Sequence, residues 1–206
     1  MFARSTTIQL KPASLDDAVA HVRDTVMPAA LGTEGNVGLS MLVGRGDSRT
    51  IVTTAWRSAE AMQESAQAMD VLGRQVAEMF GGPPQVEEWE IALLHRDHHA
   101  GAGAAVRGTW LKVDPDHVDA VVDVFKMTTL PRLAEFAGFC SASLLVDRES
   151  GRCVASIGYD SAAALERTSE QANSLRAATL KEAGAERLDV REFDLVIAHL
   201  NVPEMA

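Results

Sequence analysis

The amino-acid sequence predicts an α+β fold made of two tandem ferredoxin-like repeats, each with the element order βαββαβ. The first observation behind this prediction is an internal match, because a shift of 103 positions lays residues 27–62 on residues 130–165 without a gap. The second is that strand-like and helix-like hydrophobic periods follow one another in the same order in both halves. The third is that the shift becomes 104 after Gly81 and Gly184, where a one-residue insertion fits a loop.

The internal match divides the chain into two domains of similar size. We predict the first repeat at residues 1–96, a linker at residues 97–104, and the second repeat at residues 105–206. Each repeat has roughly 100 residues, which is the size of a small domain. The expected assembly is a monomer with an internal pseudo-dimer, and further oligomerisation is left open.

The composition is that of a globular protein with an acidic surface. Of the 206 residues, 47% are hydrophobic and 23% are charged, and the formal net charge is −10 at pH 7. Such a surface repels phosphate groups, so we expect neither nucleic acid nor a membrane as a partner. Residues 1–10 lack the basic start and apolar centre of a signal peptide, and the cytoplasm is the expected location. Cys140 and Cys153 show no metal-ligand spacing, and both are expected to be free thiols in the core.

The first half of each repeat is predicted to be a strand followed by an amphipathic helix. Polar and apolar residues alternate over residues 6–10 and again over residues 107–113, which is typical of a half-buried strand. Pro12 and Pro115 follow, at positions where the first turn of a helix tolerates proline. The helices then carry apolar residues at three- and four-residue spacings, and the matching positions are Leu15, Val19, Val22 and Val26 in the first repeat and Val118, Val122, Phe125 and Thr129 in the second.

The second half of each repeat is predicted to be a hairpin, a helix and a closing strand. Polar turns at residues 44–48 and 147–151 separate two strand-like runs, which predicts the hairpins. Ser58 and Ser161 stand where they can cap the second helices. A four-stranded sheet with both helices on one side leaves an apolar face uncovered, so we expect the two sheets to pack face to face as an eight-stranded barrel. The closing strands are predicted at residues 86–94 and 190–198.

The junction between each hairpin and the following helix carries a repeated motif. It reads WRSAEAM from Trp56 to Met62 and YDSAAAL from Tyr159 to Leu165. This aromatic-x-Ser-x-x-Ala-hydrophobic pattern resembles the dimeric α/β-barrel superfamily, in particular its antibiotic-biosynthesis-monooxygenase-like (ABM) domains, here in tandem duplication. The resemblance covers nearly the whole chain and implies a dimeric α/β-barrel within one chain. The superfamily includes cofactor-independent monooxygenases of aromatic polyketides, heme-degrading enzymes and small isomerases, so the resemblance implies the fold more narrowly than the reaction.

The heme-degrading branch of the superfamily can be compared residue by residue. That branch places a tryptophan after the motif and a heme-ligating histidine further along the same helix. The corresponding positions hold Ser65 and Gln75 in the first repeat, and Thr168 and Ala178 in the second. The resemblance therefore does not extend to heme degradation by that route, and a heme site at another histidine is the open alternative. We expect no cofactor and no metal.

Two histidines are the candidate catalytic residues. His95 and His199 occupy matching places at the ends of the closing strands. An ordinary pKa near 6.5 would suit a general base at the mouth of each half of the barrel. The alternative is a strand-end histidine in solvent or paired with a carboxylate.

The candidate substrate-binding residues are aromatic and basic residues of predicted strands, namely Trp56, Trp89, Trp110, Tyr159, Arg4 and Arg107. The aromatic rings would suit a flat apolar ligand, and the arginines would suit an anionic or phenolate group. Core packing would explain the aromatic residues equally well. For the arginines, the alternative is an ion pair between the two repeats.

Three functions fit this sequence. The first is a cofactor-independent monooxygenase that acts on a small aromatic or polyketide-like substrate in the barrel cavity, where the substrate itself activates oxygen. The second is a non-catalytic small-molecule-binding or stress-associated protein, and the third is a structural or assembly role without a ligand. Strand residues differ between the repeats while turn and cap residues match. This pattern predicts a lopsided cavity, with one half open to a ligand and lined by several of these aromatic and histidine residues, and the other half filled.

Overall fold

Residues 1–205 are described by the structure, a computed structural model. Both repeats have the predicted order βαββαβ. The strands of the first repeat are β1 (Phe2–Gln9), β2 (Asn36–Gly44), β3 (Arg49–Trp56) and β4 (Gln85–Arg96), and those of the second are β5 (Ala105–Lys112), β6 (Phe139–Asp147), β7 (Arg152–Tyr159) and β8 (Glu186–Leu200). Their hydrogen-bonded order is β1-β3-β2-β8-β5-β7-β6-β4, which is that of a closed barrel. The predicted class, a dimeric α/β-barrel within one chain, is confirmed.

A composite helix follows the first strand of each repeat. It begins with a 3₁₀ turn, continues as an α-helix, widens into a π-helical segment and then returns to α-helix. In the first repeat these parts are Pro12–Ser14, α1 (Leu15–His21), the π segment Val22–Val26 and α2 (Met27–Leu31). In the second repeat they are Pro115–His117, α5 (Val118–Val124), the π segment Phe125–Thr129 and α6 (Leu130–Leu133).

The π segments were not predicted from the sequence, and a proline accounts for each of them. Pro28 and Pro131 lie two residues after the segments. A proline inside a helix donates no backbone hydrogen bond, and its ring crowds the carbonyl group four residues earlier. That carbonyl belongs to Asp24 or Met127, inside the π segment, where the wider turn gives the ring room.

The second helix of each repeat begins at the predicted serine cap and is then interrupted. Ser58 Oγ accepts a hydrogen bond from Ala61 N, and Ser161 Oγ accepts one from Ala164 N, each at 3.2 Å. The interruptions lie at Ser65 and Thr168, whose hydroxyl groups donate to carbonyl groups of the preceding turn and so compete with the helical pattern. The resulting helices are α3 (Ala59–Glu64) and α4 (Ala66–Phe80) in the first repeat, and α7 (Ala162–Arg167) and α8 (Ser169–Ala183) in the second.

Residue contacts divide the chain into two compact units that differ from the sequence repeats. The first unit comprises Met1–Trp89 and Leu195–Val202, and the second comprises Glu90–Asp194 and residues 203–205. The end of β8 belongs to the first unit, where Asn201 N donates to Val37 O at 2.8 Å. The end of β4 belongs to the second unit, where it pairs with β6. The repeat boundaries at residues 1–96, 97–104 and 105–206 stay a prediction.

Each unit has an apolar core between its strands and its helices. Leu39, Met41 and Trp56 are fully buried in the core of the first unit. The core of the second unit contains Leu144, Val146 and Cys153, among others. Cys140 and Cys153 are both free, as predicted, and burial raises the pKa of the Cys153 thiol to about 11. Over residues 1–205, no helix is long and apolar enough to cross a membrane.

Candidate arginine-lined cavity in the second unit

A buried arginine on β5 is the central polar group of the second unit. Arg107 Nε donates to Glu192 Oε1 at 3.2 Å, and Arg107 Nη2 donates to the same oxygen at 2.9 Å. Nη2 also contacts Leu165 O at 3.1 Å and Ser169 Oγ at 2.8 Å. The third nitrogen, Nη1, is buried and has no hydrogen-bond partner among residues 1–205. An unsatisfied buried donor is costly, so a ligand group that reached this N–H would remove that cost.

The first unit repeats part of this arrangement. Arg4 Nε and Nη2 both contact Glu88 Oε1, and Arg4 Nη1 is likewise buried without a partner in the described chain. Both ion pairs join residues of the same repeat. The expected ion pair between repeats is therefore wrong, because each arginine finds a carboxylate on the closing strand of its own repeat.

A cavity lies beside Arg107, between the strands and the helices of the second unit. It offers about 60 Å³ to water-sized molecules, which is room for a few waters or a small organic group. Its polar lining residues are two arginines, a tyrosine and three threonines, and its other lining residues are apolar. The lining is formed by Arg107, Thr109, Leu111, Phe125, Thr129, Leu133, Ala155, Ile157, Tyr159, Ala172, Leu175, Arg176, Thr179 and Leu180.

Tyr159 is the aromatic residue of the cavity that can donate a hydrogen bond. Its side chain is 1% exposed, and the guanidinium carbon of Arg107 lies 5.8 Å from the ring centroid. Burial raises the pKa of the Tyr159 phenol, against the opposing effects of Thr168 and the Arg107 charge. The phenol is therefore neutral near pH 7 and keeps its proton.

The helices contribute a second cation and a polar contact. Arg176 on α8 lines the cavity, and its pKa is lowered, first by burial and then by the positive charges of Arg107 and Arg187. Thr129 Oγ1, from the π segment, lies 2.7 Å from Thr179 Oγ1 on α8. The π segment thus supplies Thr129 and Phe125 to the cavity wall, in line with the frequent occurrence of such segments at functional sites.

Differences between the repeats explain the room in the second unit. Ala172 stands where the first repeat has Met69, and Tyr159 stands where it has the larger Trp56. Met69 and Trp56 are both buried in the core of the first unit, where the Trp56 indole N–H donates to Thr54 Oγ1 at 3.0 Å. The smaller side chains of the second repeat leave space at the matching positions.

Sequence reasoning missed the helical residues of this cavity. The predicted cavity residues are strand residues that differ between the repeats, whereas Ala172 and Arg176 lie on α8. The signal was present in the internal match, because Arg176 corresponds to Gly73 and Ala172 to Met69.

The remaining aromatic candidates lie away from this cavity. Trp110 is next to Thr109 and Leu111 on β5, so its side chain points to the opposite face of the strand, where its ring lies 6.1 Å from that of Phe193. Trp89 and Trp56 belong to the first unit and are buried there. The structure therefore brings Arg107 and Tyr159 together from the predicted binding set.

The two candidate catalytic histidines are not among the residues that line this cavity. His95 Nδ1 lies 2.5 Å from Glu204 Oε1, and the imidazole stacks on Phe139 with the ring centroids 6.1 Å apart. His199 is exposed near the end of β8. Their catalytic role stays a prediction. No cluster of histidine, cysteine and acidic residues suited to a metal ion occurs in the described part of the chain.

Comparison with solved structures shows which proteins share this fold. The chain is similar to a proposed monooxygenase from Lactobacillus acidophilus NCFM, with a TM-score of 0.72, 9% identity, and coverage of 97% of this chain and 96% of that one. It is also similar to an anthrone oxidase-like protein, with a TM-score of 0.70, 15% identity, and coverage of 100% and 94%. At these identities the likeness shows the fold alone. The protein is thus an α/β-barrel formed by two ferredoxin-like repeats within one chain.

Sequence relatives place the chain in a family. The chain is 52% identical to the uncharacterised protein Rv2557 of Mycobacterium tuberculosis strain H37Rv over 205 residues, covering 100% of this chain and 92% of that protein. It is 48% identical to Rv2558 of the same strain over 206 residues, covering 100% and 87%. No family model matches the chain. The chain belongs to the family of Rv2557 and Rv2558.

Proposed function

We propose that this protein is a cofactor-independent monooxygenase of small aromatic or polyketide-like compounds, acting in the cytoplasm, with its site in the cavity of the second unit. The observation that carries the proposal is the spare N–H of the buried Arg107 beside the neutral phenol of Tyr159, on an otherwise largely apolar cavity. The monooxygenase and anthrone oxidase-like names of proteins with this fold support the reaction class.

The proposed reaction needs no reductant, because the substrate supplies all the electrons. A ring CH₂ next to a phenol or ketone loses a proton, and the resulting enolate or phenolate gives electrons to O₂. The carbon ends as C=O, which takes one oxygen atom, and the other oxygen leaves as water with the two hydrogens. The four electrons lost by the CH₂ carbon are the four that reduce O₂.

Arg107 and Tyr159 would act on the oxyanion that forms when the substrate loses its proton. Donors already aimed at a developing negative charge stabilise it strongly in a site that excludes water. Arg107 Nη1 is such a donor, since Glu192, Leu165 and Ser169 already hold the rest of the guanidinium. The apolar walls would limit access of water to the anion. A catalytic role for His95 and His199 is a separate proposal, because neither lines this cavity and a general base must lie within hydrogen-bond reach of the proton that it takes.

Oxygen consumption tests this proposal. A panel of anthrones, which carry the ring CH₂ that the reaction needs, would be assayed with the wild type, with Arg107→Gln and with Tyr159→Phe. Removal of one oxyanion donor costs about 10²–10³ in kcat, so we expect a loss of that order for Arg107→Gln. Arg4→Gln makes the same change in the first unit and should keep the activity. His95→Asn and His199→Asn test the separate proposal that these residues are general bases, which predicts reduced turnover in each variant. No oxygen uptake with any compound, or equal losses in the Arg4 and Arg107 variants, would contradict the proposal.

The size of the cavity favours a second candidate function, the binding of a small molecule without turnover. Its volume of about 60 Å³ is well below the roughly 300–1,000 Å³ of sites that enclose drug-sized ligands. A polyketide-like substrate would need side-chain movement or would protrude. The same oxygen assay separates the candidates, because a binding protein would take up the compounds without consuming oxygen.

A further inference from the structure

The cavity of the second unit holds more positive charge than its own carboxylate balances. Two guanidinium groups, those of Arg107 and Arg176, line it. Glu192 is bound to Arg107. Arg187, a third cation, also acts on Arg176. Of the charged groups that act on Arg176, Arg107 and Arg187 are cations and Glu192 is a carboxylate, so positive charge exceeds negative charge there.

This excess is specific to the second repeat. Arg176 corresponds to Gly73 in the first repeat, where the equivalent arginine, Arg4, has Glu88 as its carboxylate. The first unit therefore has one guanidinium and one carboxylate at the matching positions. The sequence difference adds a charge where it is repelled by its neighbours, and a bound anion would remove that repulsion.

We propose that the second unit's cavity selects a compact monocarboxylate, whose carboxylate lies between Arg107 and Arg176 and whose apolar body lies against the leucines and Ile157. This inference rests on the proposed site and names its substrate class. Arg107 lines the cavity, its side chain is 4% exposed, and its Nη1 has no hydrogen-bond partner among residues 1–205. Arg176, which is half-buried beside Asn173, supplies the second cation.

A carboxylate fits these groups better than other common anions. With a pKa near 4, a carboxyl group is ionised at neutral pH, whereas an ordinary phenol with a pKa near 10 is neutral before it binds. Phosphate would bring more charge into a cavity whose walls are largely apolar, and its desolvation would cost more.

The experiment measures equilibrium binding to the full chain by calorimetry at constant ionic strength. The probes are isobutyrate and benzoate, their neutral counterparts isobutyramide and benzamide, and inorganic phosphate. We expect each carboxylate to bind at least about ten-fold more tightly than its amide, because a charge-assisted hydrogen bond is stronger than a neutral one. Phosphate should bind more weakly than either carboxylate.

Variants assign the effect to Arg176. Arg176→Met keeps an apolar stem and should weaken carboxylate binding by about ten-fold or more, while leaving amide binding unchanged. Lys181→Met removes a positive charge from an exposed position of the same helix and should change neither affinity. Thermal unfolding of both variants confirms that they are folded. Retained amide binding by Arg176→Met shows in addition that the cavity itself is intact.

The inference is overturned by equal affinity for acids and amides, by carboxylate binding that Arg176→Met leaves intact, by phosphate binding as tightly as the carboxylates, or by no binding at all. Its failure is distinct from failure of the proposed reaction. Tight carboxylate binding without oxygen uptake from any compound would contradict the proposed reaction but not this inference. Oxygen uptake from neutral phenols, without any preference for acids, would contradict this inference but not the proposed reaction.

Discussion

Arg107 and Glu192 form an ion pair in which the two partners differ sharply in exposure. The Arg107 side chain is 4% exposed and that of Glu192 is 37% exposed. After the loss of Arg107, water can rehydrate the carboxylate. After the loss of the Glu192 charge, the guanidinium stays buried with no carboxylate beside it, and an uncompensated buried charge is strongly destabilising.

This difference predicts unequal costs for the two single substitutions. We expect Arg107→Met to lower the free energy of unfolding by about 2 kcal/mol, and Glu192→Gln to lower it by about 3 kcal/mol or more. Urea unfolding at pH 7 measures both. Arg4→Met and Glu88→Gln should show the same order in the first unit, because Arg4 is 4% exposed and Glu88 is 42% exposed. A larger loss for the arginine variants would show that the buried charge is not the dominant cost.

Exchanging the residues at positions 69 and 172 should fill the cavity of the second unit and open a cavity in the first. Ala172→Met introduces the side chain that the first repeat has at Met69, and it should fill the space beside Arg176. We expect its stability to stay within about 1 kcal/mol of the wild type, since the added atoms occupy existing room, and we expect ligand binding to be lost. Met69→Ala should instead lower the free energy of unfolding by about 2–3 kcal/mol, because it opens a new cavity in a packed core. Calorimetric binding and urea unfolding are the measurements, and unimpaired binding by Ala172→Met would show that the ligand lies elsewhere.

A histidine between two carboxylates predicts a pH dependence of stability. His98 Nε2 lies 2.6 Å from Asp160 Oδ1, and its Nδ1 lies 2.9 Å from Asp97 Oδ2. These contacts, first that with Asp160, raise the pKa of His98. The folded protein therefore binds this proton more tightly than the unfolded chain does. The stabilisation is fully present below the unfolded pKa near 6.5 and is lost as the pH rises through the higher folded value.

The His98→Gln variant tests this dependence. Between pH 6 and pH 9, the Tm of the wild type should fall toward that of the variant, and the difference between them should be largest at the acidic end. His99→Gln, next to it in the connector, serves as the control and should follow the wild type. A difference in Tm that grows with rising pH would have the wrong sign for this assignment.

Gly138 combines an unusual backbone angle with a close neighbour. Its φ is +81°, and a Cβ atom there would lie 2.6 Å from the Cβ of Ala164. Gly103 has a similar φ of +84°, but a Cβ there would meet nothing within 4 Å. Gly103→Ala should thus cost only the backbone strain of about 1–2 kcal/mol, and Gly138→Ala should cost at least about 1 kcal/mol more because of the clash. Equal losses of unfolding free energy in the two variants, measured by urea unfolding, would show that the backbone at Gly138 can move away from Ala164 without a free-energy cost.

The fold was predictable because its determinants are local or repeated. The caps at Ser58 and Ser161 follow from residue type and position, and the duplicated order of elements supported each assignment twice. The sequence did not predict the π segments, because one wider turn barely changes the three- and four-residue spacing of the apolar residues. The exchange of strand ends between the compact units was also missed, because Glu90 and Val146 pair through the backbone and leave no mark in the residue types.

The site was predictable only in part. Arg107 and Tyr159 stood out as strand residues of types that bind ligands, and both line the cavity. The space in the cavity depends on Ala172, and a small apolar residue of this kind does not mark a binding site in a sequence. The pairing of Arg107 with Glu192 was foreseen in kind but was placed between repeats, because periodicity does not say which closing strand lies beside β5.

The location of the ligand in the second unit is the central claim, and methyl NMR tests it most directly. The protein would carry labelled isoleucine and leucine methyl groups and would be titrated with 4-hydroxybenzoate, which is compact and has both a phenol and a carboxylate. The predicted result is a saturable shift of the methyl signals of Leu111, Ile157 and Leu175, which line the cavity. The methyl signals of Ile8 and Leu72, which in the first repeat correspond to Leu111 and Leu175, should not shift. Saturable shifts confined to Ile8 and Leu72, or no shift of the cavity methyl groups at saturating ligand, would contradict the account.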